Sequence, residues 1–213
     1  MIPFCLVIIA VISYTLGSVN GAIIASRMLF HQDVRDYGSH NAGLTNFHRT
    51  YGTTGLVIVL GVDILKGAIS VLVGKFIMGF FDASSVGALF AMLCVVLGHM
   101  YPIFHQMRGG KGILTAAGAM LFFDWRLFLI CIAIFVGLVF FTRYVSLGSV
   151  SAAAFFPLGV LLARHGLLCF EIALVTAGFV IYKHRTNIVR LLNHTENKLE
   201  FKKDISDKFD ETF

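Results

Sequence analysis

Residues 108–112 (RGGKG) combine glycines with a lysine in a pattern that suits a phosphate group. They stand directly before an apolar stretch, where the N-terminus of a helix would offer free N–H groups. Glycine lets the backbone approach a ligand closely, and Lys111 supplies a positive charge. A nucleotide-binding P-loop needs a glycine and a Ser or Thr where this chain has His105 and Gly112. The pattern therefore predicts a phosphate-binding loop of another kind, with a flexible basic turn as the alternative.

A second polar segment, residues 33–52, is dense in Gly, Ser, Thr and Asn and carries Arg49 near its end. Such loops expose backbone N–H groups, hydroxyls and amides, which suit an anion. The same residue types dominate ordinary turns, so a turn-rich connector is an equally strong interpretation. His31 and Asp36 match a His-x4-Asp spacing, which is a signature of one class of acyltransferases. We interpret this match as a coincidence, because the chain is rich in both residue types.

The third polar segment, residues 182–198, allows two interpretations. Its apolar residues Ile188, Leu191 and Leu192 recur at helical spacing beneath basic ones, which is typical of an amphipathic helix on anionic lipid. His184 and Asn187 stand three apart on one helical face, which would suit a polar site at the end of the preceding apolar stretch. The pattern alone slightly favours the lipid-surface interpretation.

The composition indicates that membrane helices must position these segments. Of the 213 residues, 57% are hydrophobic and 14% are charged, and the mean hydropathy is +0.83. Soluble domains carry about a quarter charged residues. The same numbers exclude intrinsic disorder, collagen-like repeats and a secreted disulfide scaffold. We therefore expect one integral membrane domain over residues 1–213, with the four cysteines as small buried apolar residues.

Seven apolar stretches approach the length of about 20 residues that a membrane-spanning helix needs. They cover residues 2–26, 54–81, 83–104, 112–123, 127–142, 144–163 and 166–182. The sequence therefore predicts an all-α, polytopic membrane protein with seven transmembrane helices. The alternative is five transmembrane helices, if two short stretches re-enter the membrane rather than cross it.

The basic residues predict the orientation of these helices. With seven crossings and the N-terminus outside, thirteen Lys and Arg fall on the inner side and only Arg126 and Arg164 on the outer side, as the positive-inside rule requires. The C-terminus is then cytoplasmic, and residues 183–213 form a cytoplasmic tail that contributes to the site. Within one span, Asp63 and Lys66 are expected to pair towards the bundle interior and Lys75 to reach outwards.

Taken in order, the three polar segments resemble the motifs of the bacterial membrane acyl-phosphate:glycerol-3-phosphate acyltransferases. The first motif is GSxNxGxTNxxR over residues 38–49, preceded by DVRD at residues 33–36. The second runs from residues 98–99 (GH) to residues 108–112, and a YVSL stretch follows at residues 144–147. The third is HRxNI at residues 184–188, continuing to Glu196 and Lys198. Departures from the family pattern are Val19-Asn20 for Ile-Pro, His40 and His194 for Gly, and Leu44 for Ala.

The resemblance implies seven transmembrane helices, an external N-terminus and an active site at the cytoplasmic face of a bacterial cell membrane. The reaction would transfer a fatty acyl group from acyl phosphate to the 1-hydroxyl of sn-glycerol-3-phosphate, giving lysophosphatidate and phosphate as the first step of phospholipid synthesis. No cofactor, metal, nucleic acid or obligate protein partner is expected. The catalytic residues would be Ser39, Lys111 and His184, and the substrate-binding residues Asn41, Thr45, Asn46, Arg49, Gly109, Gly110, Gly112, Ser146 and Asn187.

Because an acyl phosphate already carries a good leaving group, the site needs mainly to align a hydroxyl and to neutralise two phosphates. We expect residues 109–111 and Thr45 to hold the acyl phosphate. The residues expected to hold glycerol-3-phosphate are Ser39, Asn46, Arg49, Ser146, His184 and Asn187. His184 would act as a general base, or only as an orienting group if the substrate phosphate takes the proton. A transporter of organic phosphates is a less favoured alternative, because the charges cluster at one face rather than at the midplane. A non-catalytic membrane scaffold would leave the glycine-rich basic loops unexplained.

Overall fold

The computed structural model describes residues 1–199. These residues form an all-helical bundle with no strand, as predicted. The helices are α1 (Ile2–Ser18), α2 (Gly21–Phe30), α3 (Leu44–Tyr51), α4 (Leu56–Gly79), α5 (Ser84–Met100), α6 (Ile113–Phe123), α7 (Trp125–Thr142), α8 (Val145–Leu162), α9 (Leu167–Lys183) and α10 (Arg185–Leu192). Short 3-10 turns occur at Val34–Asp36 and Ile103–His105. The part of the predicted tail beyond residue 199 lies outside the described residues.

Five segments among the described residues are long and apolar enough to cross a membrane: Ile2–Phe30, Leu56–Gly79, Ser84–His105, Trp125–Thr142 and Val145–Leu162. The helices α9 and α10 bend by 61° at His184. Helix α6 has 11 residues, which extend about 17 Å at the α-helical rise, short of the roughly 30 Å hydrocarbon core. The prediction of seven crossings therefore stays a prediction.

The prediction treated residues 2–26 as one apolar span. The structure divides this stretch between two helices. It breaks at Val19-Asn20 and resumes as α2. The Asn20 carboxamide causes the new start, because its Oδ1 accepts a hydrogen bond from Ile23 N at 3.0 Å and caps α2. Its Nδ2 donates to Ala42 O at 3.1 Å, which ties the break to the first polar loop.

The predicted Asp63–Lys66 pair lies inside the bundle. Lys66 Nζ is 2.8 Å from Asp63 Oδ1 and 2.9 Å from His99 Nδ1, and all three side chains are buried. Lys66 also donates to Gly17 O at 3.2 Å and Val19 O at 2.6 Å, the carbonyls freed where α1 ends. Unpaired backbone groups are costly in a membrane, so this network stabilises the broken helix.

Glycines let the central helices pack at backbone distance. A Cβ atom on Gly17 of α1 would lie 2.2 Å from Val95 O, and one on Gly98 of α5 would lie 2.3 Å from Tyr14 O. The same holds between α4 and α6, where a Cβ atom on Gly67 would lie 2.2 Å from Thr115 O. Small residues at such crossings are the usual means of helix association in membranes. This close packing fixes the end of α5 and the start of α6, which the glycine-rich loop connects.

Candidate functional site

The three polar segments meet at a cavity of about 560 Å³. Six cationic residues and one carboxylate, Asp36, line it. The cations are Arg35, Arg108, Lys111, Lys183, Arg185 and Arg190. A concave site with this excess of positive charge attracts anionic ligands. Among the predicted site residues, Ser39, Asn41, Gly109 and Lys111 line the cavity directly.

The glycine-rich loop lies against the end of α5. Gly109 N donates to Met100 O at 3.3 Å and Gly110 N donates to His99 O at 3.1 Å. A Cβ atom on Gly109 would lie 1.9 Å from His99 O, and one on Gly110 would lie 2.2 Å from His99 Nε2. The glycines therefore allow close approach to α5, while their own N–H groups are already used. Helix α6 begins after Gly112 at φ +83° without a side-chain cap, so the N–H groups of its first turn have no intrahelical partners.

Lys111 connects the glycine-rich loop to the third polar segment. Its Nζ donates to Asn187 Oδ1 at 2.5 Å. Burial lowers the pKa of Lys111 to about 8; the nearby Glu196 raises it, and the cations Arg190 and Arg49 lower it further. The ammonium is thus poorly solvated and gains from an anionic ligand.

Glu196 joins three structural elements behind the cavity. Its Oε1 accepts hydrogen bonds from Ser146 Oγ at 2.8 Å and Asn187 Nδ2 at 2.7 Å, and its Oε2 accepts one from Arg190 Nε at 2.7 Å. Burial opposes ionisation, but these donors outweigh it and lower the pKa of Glu196 below its usual value. Sequence reasoning did not select this residue for the site, although the third motif runs through it.

His184 is buried at the bend between α9 and α10. Its Nδ1 lies 2.8 Å from Val180 O, so we assign the proton to Nδ1, which leaves the Nε2 lone pair free. Burial lowers the pKa of His184 to about 4; the Val180 carbonyl raises it and the charge of Lys111 lowers it. The burial of His184 and Asn187, together with the Lys111 contact, supports the polar-site interpretation of this segment. The lipid-surface interpretation of the apolar residues of this segment stays a prediction.

In the first loop, the Asn46 carboxamide holds the backbone that carries Ser39. Asn46 Oδ1 accepts from Ser39 N at 2.8 Å, and Nδ2 donates to Val34 O and Tyr37 O, both at 3.0 Å. Asn46 is only 1% exposed and lies outside the cavity lining. Thr45 also lies outside this lining. Arg49 is exposed and donates to Asn197 O at 3.2 Å, which links α3 to the tail.

Arg35 is a cavity residue that sequence reasoning missed as a site residue. Its guanidinium pairs with Asp33 at 2.7 Å and donates to His105 O at 2.8 Å and Arg108 O at 3.1 Å. It therefore joins the first loop to the glycine-rich loop. The sequence signal that could have identified Arg35 was the DVRD run before the first motif. His40, the departure at a glycine position, adopts φ +56° and its Nδ1 is 2.9 Å from Arg35 O.

The chain is similar to known proteins in both sequence and fold. The family model described as glycerol-3-phosphate acyltransferase matches residues 7–194. The chain belongs to the glycerol-3-phosphate acyltransferase family. It is 41% identical over 199 residues to the glycerol-3-phosphate acyltransferase of Thermoanaerobacter sp. (strain X514), covering 93% of this chain and 98% of that protein. It is 42% identical over 207 residues to that of Clostridioides difficile (strain 630), covering 94% and 98%.

Two solved structures of PlsY (YgiH), an integral membrane glycerol 3-phosphate acyltransferase, are also similar. The glycerol 3-phosphate form has a TM-score of 0.83 and 33% identity, covering 96% of this chain and 98% of that chain. The lysophosphatidic acid form has a TM-score of 0.81 and 32% identity, covering 92% and 95%. The family resemblance is thus confirmed, and the chain is a multi-pass membrane protein.

Proposed function

We propose that this chain transfers a fatty acyl group from an acyl phosphate to the 1-hydroxyl of sn-glycerol-3-phosphate, releasing lysophosphatidate and phosphate. The observation that carries the proposal is that Lys111, which lines the cationic cavity, donates a hydrogen bond to Asn187. That contact joins the glycine-rich loop to the third motif of the family. The solved forms of PlsY with glycerol 3-phosphate and lysophosphatidic acid support the acceptor and the product.

In the proposed reaction, the glycerol hydroxyl oxygen attacks the carbonyl carbon of the acyl phosphate. The new C–O ester bond forms, and the bond from that carbon to the phosphate oxygen breaks. Inorganic phosphate leaves with the electron pair of the broken bond. Lys111 and the first-turn N–H groups of α6 stabilise the charge on the leaving phosphate. The remaining cavity cations bind the phosphate of the acceptor and so fix the position of its hydroxyl.

His184 is suited to contact the attacking hydroxyl, because its imidazole is neutral at pH 7. The Nε2 lone pair accepts a hydrogen bond from that hydroxyl and either takes its proton or orients it towards the phosphate. Ser146 and Asn187, both held by Glu196, complete this side of the site. Ser39 and Asn41 face the cavity from the first loop, and Asn46 keeps that loop in place.

For the topology, we propose seven membrane segments with the N-terminus outside and the cavity at the cytoplasmic face of a bacterial membrane. The charge distribution supports this orientation, because the cationic cavity would then face the cytoplasm. Such a site receives glycerol-3-phosphate from water and the acyl phosphate from lipid. The product would enter phospholipid synthesis.

The donor is tested with purified protein in detergent and labelled glycerol-3-phosphate. Palmitoyl phosphate and palmitoyl-CoA are supplied separately, and lysophosphatidate is measured. We expect product from palmitoyl phosphate alone. Product from palmitoyl-CoA alone would overturn the donor assignment, and product from neither donor in folded protein would overturn the reaction.

A further inference from the structure

A second cavity, of about 690 Å³, lies at the opposite end of the bundle from the candidate site. It is formed where α6 ends, α7 begins and α8 ends. The candidate site lies at the other ends of α6 and α8, near Gly112 and Ser146. The proposed reaction therefore makes no use of this cavity, which we name the distal groove. Its polar lining residues are Lys75, Asp124, Trp125, Arg126 and His165.

The distal groove has an excess of positive charge. Asp124 is already satisfied: its Oδ1 caps α7 by accepting from Arg126 N at 3.0 Å, and its Oδ2 is 3.0 Å from His165 Nε2. Lys75 Nζ donates to Phe122 O at 2.7 Å and Phe123 O at 3.0 Å, which leaves one of its three donors.

Arg126 supplies the second cation of the groove. Its guanidinium is exposed and forms no ion pair among residues 1–199; it lies 5.8 Å from the ring of Trp125. Arg126 and Lys75 thus both have N–H groups that can bind a ligand, whereas both oxygens of the Asp124 carboxylate already accept hydrogen bonds.

The wall next to these cations is apolar. Phe122, Ile130 and Leu162 line it, and each exposes at least 43% of its surface in the isolated chain. Trp125 is 58% exposed at the same level, and tryptophan is enriched where hydrocarbon meets the polar headgroups. An anionic head beside an apolar tail is the ligand chemistry that this arrangement matches.

We propose that the distal groove binds an anionic phospholipid of the surrounding membrane. Its phosphate contacts Arg126 and Lys75, and its acyl chains lie along Ile130 and Leu162. Charge complementarity selects an anionic lipid over a zwitterionic one, because the cations outnumber the single, already paired carboxylate. The apolar wall continues onto further exposed apolar residues of α7 and α8.

Trp125 is the only tryptophan of the chain, so its fluorescence can report lipid binding at the distal groove. The protein is reconstituted in phosphatidylcholine vesicles with increasing fractions of phosphatidylglycerol brominated on its acyl chains. A parallel series uses brominated phosphatidylcholine. Bromine quenches tryptophan fluorescence on contact, so the two series give the relative affinity for the anionic lipid. The readout is independent of acyl transfer.

We expect stronger quenching by the anionic lipid at equal mole fraction. Arg126→Gln is expected to reduce this preference about fivefold, and Lys75→Gln similarly. Arg164→Gln is the matched control, since Arg164 is exposed near the same end but does not line the groove. Equal quenching by both lipids would overturn the proposal. So would an unchanged preference in Arg126→Gln, or an equal loss in Arg164→Gln, which would indicate a diffuse surface charge.

Discussion

The substitution Gly110→Ala tests how the phosphate loop is positioned. The added Cβ atom would lie 2.2 Å from His99 Nε2 and 2.5 Å from Ala42 O. Neither neighbour yields easily: Ala42 O is backbone, and the His99 ring is buried with its Nδ1 2.9 Å from Lys66 Nζ. The loop itself must therefore move.

The size of this movement follows from the contact distances. Ordinary van der Waals contact of a Cβ atom begins at 3.4 Å. The backbone at residue 110 must therefore shift by about 1 Å to relieve the two overlaps. A misplacement of about 1 Å in a positioning element costs about 100-fold in rate. We expect kcat to fall about 100-fold, because Lys111 and the start of α6 move with the loop.

The assay is the rate of lysophosphatidate formation at saturating substrates, together with thermal unfolding of the purified variant. Overpacking costs about 1–3 kcal/mol, so the variant is expected to fold. Gly137→Ala in α7 is the matched control, because a Cβ atom there meets nothing within 4 Å. Wild-type kcat in Gly110→Ala, with the same unfolding temperature as Gly137→Ala, would refute the argument.

Four further predictions concern the titrating groups of the site, the buried ion pair and the first loop. The kcat/KM is expected to fall as the pH rises through about 8, because Lys111 loses its proton, and Lys111→Arg should move this limb to higher pH. On the acid side, kcat/KM corrected for the ionisation of the substrate phosphates should hold until the pH approaches about 4, where His184 is protonated; a remaining limb near 6.5, the ordinary histidine value, would contradict the burial argument. Lys66→Met should destabilise the protein by roughly 3–5 kcal/mol in chemical unfolding, since it leaves the Asp63 carboxylate buried and unpaired. Adding Asp63→Leu should recover only part of that loss, because Gly17 O, Val19 O and Gly21 N then lack these partners; no recovery would contradict the pairing. Asn46→Ala should raise the KM for glycerol-3-phosphate and cost about 1–3 kcal/mol of stability, because three hydrogen bonds from this side chain to the first loop are lost; an unchanged KM would contradict its positioning role.

The helical fold and the meeting of three polar segments were predictable from the sequence. Hydropathy predicts helices because lipid offers no hydrogen-bond partners to an open backbone. The break at Asn20 was not predictable in the same way, since the flanking residues are apolar on both sides. What creates the break is a tertiary contact, the bond from Asn20 Nδ2 to Ala42 O, together with Lys66 bound to the freed carbonyls.

The arrangement of the site also depends on contacts between residues that are distant in sequence. Glu196 meets Ser146 across 50 residues, and Arg35 meets the carbonyls of the glycine-rich loop across 70 and 73 residues. No local spacing encodes these pairs. The glycine-rich loop is a further example. Its glycines predicted N–H groups that bind phosphate, but the N–H groups of Gly109 and Gly110 donate to carbonyls of α5 instead.

The most direct test of the proposed reaction follows lysophosphatidate and inorganic phosphate in one reaction of palmitoyl phosphate with glycerol-3-phosphate. We predict that both products form in equal amounts in the wild type and that Lys111→Ala forms neither. Arg164→Gln, which removes an exposed cation at the opposite end of the bundle from the site, should retain wild-type rates. Phosphate release without lysophosphatidate, or equal rates in Lys111→Ala and Arg164→Gln, would contradict the account.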